Sequence, residues 1–169
     1  SRRIRNGHQW VFSNEIAKTE GSPESGVLAE LYDQKEYLGT GFYNKNSLIS
    51  LRLLNNTYED DLSSYIKDSI LKANDLRKTF YPNRESYRMV FSESDFLPGL
   101  IIDKYNNTYV MQVYCFGMNV NIQLVVDVLK NDLGAENIFT RNDPYFRKLE
   151  GLPEDDTVYL GEAAPETID

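Results

Sequence analysis

Turn-forming residues interrupt the first 57 positions about every ten residues, a spacing that leaves room only for short strands. Trp10-Val11-Phe12 follows the Gly7-His8 turn, and Val27 to Tyr32 follows Gly21-Ser22-Pro23 and Gly26. Tyr37 to Tyr43 comes after the polar run Asp33-Gln34-Lys35-Glu36. Ile49 to Leu54 alternates and ends at Asn55-Asn56. Short strands repeated at this interval curl into a small β-barrel. Gly39 and Gly41 inside one strand imply a bulge or the close approach of another backbone.

The periodicity then changes. Leu62, Tyr65, Ile66, Ile70 and Ala73 recur at three- and four-residue steps, which predicts an amphipathic helix. Asp60 or Asp61 caps its start, it runs to about Arg77, and Tyr81-Pro82-Asn83 ends it. Tyr87 to Phe91 reads as a strand. Gly99 to Tyr105 and Thr108 to Tyr114 flank a hairpin turn at Asn106-Asn107. A helix is expected over 119–133, with Val120, Leu124, Val125, Val128 and Leu129 on its apolar stripe and Gly134 as its stop. Asn137 to Arg141 and Thr157 to Gly161 complete a strand-strand-helix-strand-strand layer. The fold class is therefore α+β: a barrel over 1–58, a bridging helix and linker over 59–86, and a second α+β unit over 87–169.

Composition narrows the class. Hydrophobic content of 41% and charged content of 26% suit a soluble globular chain, and 169 residues suffice for one medium or two small units. No run approaches the ~20 apolar residues that cross a bilayer, so no membrane partner is expected. Ser1-Arg2-Arg3-Ile4-Arg5 is basic but has no apolar segment behind it, unlike a secretory signal. A single cysteine, Cys115, excludes an internal disulfide and a cysteine metal cluster; a reducing, cytoplasmic setting is expected. The chain begins without Met and stops at Pro165-Glu166-Thr167-Ile168-Asp169, which reads as a segment of a longer protein or a processed chain.

The net charge of −8 weighs against a simple nucleic-acid binder, but it is unevenly placed. Residues 1–57 hold seven Lys/Arg against six Asp/Glu, while the remainder holds eleven against twenty. Such asymmetry suggests two units with different jobs. Phosphate contacts are expected on the first unit, at Arg2, Arg3, Arg5, Lys45 and Arg52, and on basic positions such as Arg141 and Arg147, where exposed cations would give salt-sensitive affinity. Arg52 alternates with Leu51 and Leu53, so it points to the opposite face, either toward RNA or toward Glu30. His8 is the only histidine, too few for a metal site. It is read as a turn residue beside Trp10 or as an RNA-backbone contact. Trp10 is read as core, with base stacking as the alternative.

Farther along, Glu93-Ser94-Asp95-Phe96-Leu97-Pro98-Gly99 carries two carboxylates into an apolar strand that ends at Asp103. Such a pair does acid–base work when burial separates its pKa values, or caps a turn. A structural or interface role is the reading favoured here. Arg141, Asp143 and Arg147 are candidates for a polar network with Glu93, Asp95 or Asp103. Cys115 has no basic neighbour in sequence to activate it and reads as a strand-end core residue.

Four motifs in order carry a family resemblance over nearly the whole chain. They are Gly7-His8-Gln9-Trp10-Val11-Phe12; Gly39 to Ser47 continuing to Arg52; Tyr87-Arg88 with Glu93-Ser94-Asp95, Leu97-Pro98-Gly99 and Asp103; and Arg141-x-Asp143 with Arg147 and Glu150-Gly151. The chain resembles the N-terminal and central parts of the S-adenosylmethionine-dependent large-subunit ribosomal RNA cytosine-5 methyltransferases. The resemblance implies an RNA-binding PUA domain, then a central domain, with ribosomal RNA and the family's methyltransferase domain as partners and a second copy as a candidate one. It implies that Glu93, Asp95, Asp103, Arg141, Asp143 and Arg147 lie at the cleft toward that domain. The family's Gly-rich cofactor turn and nucleophilic cysteine fall after Gly161-Glu162, so no catalytic, cofactor or metal residue is expected within this chain. S-adenosylmethionine would belong to the full-length parent. The rival reading is a self-contained, non-enzymatic PUA-type module for RNA binding or assembly.

Overall fold

The computed structural model describes residues 2–162; the stretch 163–169 at the end of the expected second unit lies outside the described residues. A short helix α1 (Arg2–Arg5) leads into β1 (Trp10–Phe12), β2 (Leu28–Asp33), β3 (Glu36–Tyr43) and β4 (Ile49–Asn55). These four strands form an antiparallel sheet in the order β1-β4-β3-β2, with β1 and β2 outermost. The ladder slips between Leu31 and Tyr32, and again between Thr40 and Gly41. Gly41 has no room for a side chain, because a Cβ there would run into the backbone carbonyl of Arg52. The two glycines thus mark both a bulge and a close approach.

Helix α2 (Leu62–Phe80) follows. Asp61 caps it, its side chain accepting the Ser64 N–H at 3.0 Å. Ile66, Ile70, Ala73 and Asn74 form its buried face, the stripe the sequence spacing demands. The helix runs one turn past Arg77, and the Tyr81 N–H closes on the Arg77 carbonyl.

The second sheet has the order β5-β6-β7-β8-β9, built from β5 (Ser86–Phe91), β6 (Leu100–Tyr105), β7 (Thr108–Val113), β8 (Asn137–Thr140) and β9 (Val158–Leu160). All pairings are antiparallel except β7 with β8. A parallel pair needs a crossover, and helices α3 (Phe116–Val120) and α4 (Ile122–Asn131) supply it. The single helix expected over 119–133 is therefore two. The break falls at Asn121, whose side-chain amide donates to the Gly117 carbonyl at 2.8 Å and competes with the helical ladder. Val120, expected on the buried stripe, is 59% exposed. A further helix, α5 (Pro144–Leu149), was not legible; Asp143 caps it by accepting the Tyr145 N–H at 2.8 Å, and Pro144 opens it.

Two apolar cores result. The smaller one gathers Ile4, Val11, Leu38, Leu51 and Leu53 beneath the first sheet. The larger one lies between the second sheet, α2 and α4, and it takes in Phe42 and Leu54 from the first sheet. Phe42 sits against Gly117 of α3, where any Cβ would overlap its ring. The two sheets are thus tied through a shared core.

Candidate functional site

Polar groups also cross between the sheets. Arg52 projects from β4 away from Leu51 and Leu53 and is 9% exposed. Its Nη2 donates to Glu150 Oε1 at 2.7 Å and its Nη1 to Glu93 Oε1 at 3.2 Å. Glu150, which follows α5, also accepts from Ser47 Oγ at 2.8 Å and from the Asn44 amide at 3.2 Å. Glu93 accepts the Trp10 indole N–H at 2.7 Å and the Ser92 hydroxyl. The Arg52 guanidinium lies over the Trp10 ring at 5.4 Å. Burial opposes the charge on Arg52, but the carboxylate of Glu150, with Cys115 and Glu93 adding to it, holds the guanidinium above its ordinary pKa. Its Nε is buried and has no hydrogen-bond partner.

Several expectations need correction. Arg52 faces neither solvent nor Glu30; it is a buried strut between the two sheets. Trp10 is half-buried at that junction rather than in a core, and it offers its N–H to Glu93. The carboxylates and arginines of the second unit do not meet in one network. Asp95 takes both Nη groups of Arg77 at 2.6 Å and the Phe91 N–H at 2.6 Å. Asp103 pairs with Arg88 at 2.9 and 3.0 Å, and Arg141 with Asp156 at 3.3 Å. Arg147 donates to the carbonyls of Pro153 and Val113 and to Asn119 Oδ1, at 2.6, 3.0 and 2.8 Å. Burial lowers its pKa because no carboxylate compensates at contact distance. Asp143 serves as a helix cap.

On the first unit, Arg3 pairs with Glu15, Arg5 with Glu36 and Asp33, and Lys45 with Glu24. Arg2 and His8 are exposed, and no side-chain partner engages them among the described residues. Exposed pairs of this kind contribute little in water and are readily exchanged.

Arg5 and His8 do converge, on a cleft of about 640 Å³. Its floor is apolar, formed by Leu38, Leu53 and Leu54. Gln9 and Asn55 also line it, and Phe96 reaches it from the second unit. Phe96 is 57% exposed and holds a left-handed φ of 60°, which ends the turn that carries Glu93 and Asp95. The carboxylates of Glu36, which pairs with Arg5, and of Glu93 also line the cleft. Gln9, Asn55 and Phe96 escaped the sequence reading. Only the position of Phe96, directly before Leu97-Pro98-Gly99, hinted at a role.

Residues 1–56 match a PUA-like domain. Beyond that unit, the similarity covers nearly the whole chain. A protein named ribosomal RNA large subunit methyltransferase I from Vibrio parahaemolyticus is 31% identical over 168 residues, 98% of this chain and 42% of that protein. Its namesake from Vibrio cholerae is 32% identical over 170 residues, with the same two shares. A solved structure of a candidate SAM-dependent methyltransferase from Streptococcus mutans superposes with a TM-score of 0.76 at 17% identity, over 98% of this chain and 42% of that one, and shows the shared fold. The chain thus spans about two-fifths of the length of the relatives it matches.

The strand-to-helix turns at Tyr114-Cys115 and Arg141-Asn142-Asp143 contain no glycine. Cys115 is buried after β7, and burial pushes its thiol up to about 11, away from nucleophilic use.

Proposed function

We propose that this chain is the RNA-holding part of an S-adenosylmethionine-dependent ribosomal RNA methyltransferase. The observation that carries the reading is the 31% identity along 98% of the chain to a large-subunit ribosomal RNA methyltransferase, with a PUA-like unit at residues 1–56. The first unit contacts phosphate through Arg2, Arg3 and Arg5, and the Phe96 cleft receives an unpaired base. Phosphate contacts set position, and stacking holds the base out of the helix. The Arg52–Glu150–Glu93 strut fixes that cleft relative to the second sheet. The chemistry in this reading is methylation of cytosine at C5: a cysteine thiolate would add to C6, C5 would take the methyl group from the sulfonium of S-adenosylmethionine with S-adenosylhomocysteine leaving, and a base would remove the C5 proton as the C6–S bond breaks and the cysteine departs. In this reading the nucleophile and the donor site belong to a further domain outside this chain.

Two measurements test the proposal. The reading frame beyond Asp169 should encode a Gly-rich strand-to-helix turn and a nucleophilic cysteine; a stop codon there would instead favour a self-contained RNA-binding module. Calorimetry of this chain should show no heat with S-adenosylmethionine, yet salt-sensitive binding to single-stranded ribosomal RNA segments. Tight donor binding would contradict the assignment.

A further inference from the structure

A second groove, of about 350 Å³, lies where the end of α2 meets β5, remote in sequence from the PUA-like unit. Arg77, Arg84, Arg88, Tyr81, Tyr87 and Phe91 line it, with no carboxylate among the lining residues. Tyr81 and Phe91 are 46% and 48% exposed. Each ring carries a guanidinium, Arg84 over Tyr81 at 5.5 Å and Arg88 over Phe91 at 5.4 Å. The three arginines differ in their engagement. Arg77 and Arg88 are held rigidly by bidentate pairs with Asp95 and Asp103. Among the described residues, Arg84 has no carboxylate partner, and Nη1 of Arg88 is unengaged.

We infer that this groove is a second nucleic-acid contact, which grips one nucleotide of single-stranded RNA next to the segment held by the first unit. Exposed rings interleaved with guanidinium groups are the arrangement that binds single strands without reading sequence. Arg84 supplies the phosphate charge, and Tyr81 or Phe91 stacks a base. The groove admits one unpaired nucleotide but is too small to seat a duplex. The inference rests on the RNA reading proposed above, and adds that the second unit itself holds substrate.

Anisotropy with a fluorescein-labelled 12-nucleotide single-stranded RNA, titrated across salt, tests it. Arg84→Glu should weaken binding about 3- to 10-fold and reduce the salt slope by about 0.7. The pair Tyr81→Ala with Phe91→Ala should weaken it by about 5- to 100-fold. Each variant should keep the wild-type melting temperature, because these side chains are exposed. Ultraviolet crosslinking of the same RNA should place adducts on the segment 78–91. Intact affinity in both variants, with loss only in Arg5→Glu, would overturn this groove while sparing the first-unit reading. Loss of binding to a poly-glutamate peptide with RNA binding intact would assign the groove to an acidic protein segment and overturn the proposal. Absence of RNA binding by the unmodified chain would remove both.

Discussion

Replacing Arg52 with Met tests how much the two sheets depend on one buried cation. The guanidinium and the Glu150 carboxylate are 10% and 4% exposed and 2.7 Å apart. Removing one member leaves the Glu150 charge buried with only Ser47 and Asn44 to satisfy it, a loss usually worth about 3–5 kcal/mol. The orphaned Nε of Arg52 already costs on the order of 1 kcal/mol in the native chain. The expected loss therefore sits at the lower end, about 3 kcal/mol. For a chain of this size that lowers the melting temperature by roughly 6–12 °C. Urea unfolding, followed by Trp10 fluorescence and by far-ultraviolet circular dichroism, measures it. The transition should stay single, because Phe42 and Leu54 still tie both sheets into one core. Adding Glu150→Met should recover much of the loss, since the stranded charge is then gone. A single variant within 1 kcal/mol of the parent, or a double variant less stable than Arg52→Met, would refute the reasoning.

Three further outcomes follow. Gly117→Ala should cost about 1–3 kcal/mol by forcing a methyl group into the Phe42 ring, measurable as a lower urea midpoint. Arg147→Lys should destabilise by about 2 kcal/mol, because an ammonium cannot span the carbonyls of Pro153 and Val113 and the Asn119 amide oxygen together; equal melting curves would contradict this. Stability should fall as pH rises from 9 toward 11. Burial pushes Cys115 from 9.0 up to about 11, so the native chain keeps a proton there that the unfolded chain releases. Tyr65 and Tyr109, both pushed up to about 12 by burial, extend the same sign above pH 10, and thermal melts across that range read the slope.

Local patterns were readable where one physical rule decided the outcome. The α2 stripe at Ile66, Ile70 and Ala73 follows from helical spacing alone, and the hairpin at Asn106 from turn chemistry, with φ of 53° at that residue. The partners of Arg52 were not readable. Alternation places it opposite Leu51 and Leu53, but only the packing of the second sheet against that face turns it from a solvent group into a strut. Arg147 likewise reads as a partner for a carboxylate until α5 brings it against the carbonyls of Pro153 and Val113 instead. The Phe96 cleft draws on four separated segments, and no local window contains them. The break at Asn121 was missed because the apolar period continues across it while the side-chain amide interrupts the backbone.

The seat of Phe42 on Gly117 has a consequence for anyone wishing to transplant the amino-terminal sheet. Cut away at the start of α2, that sheet would present the faces of Phe42 and Leu54 to water and invite self-association. A workable chimera would have to bring along a surrogate for Phe116–Val120, so the smallest portable unit is larger than the sequence family that defines it.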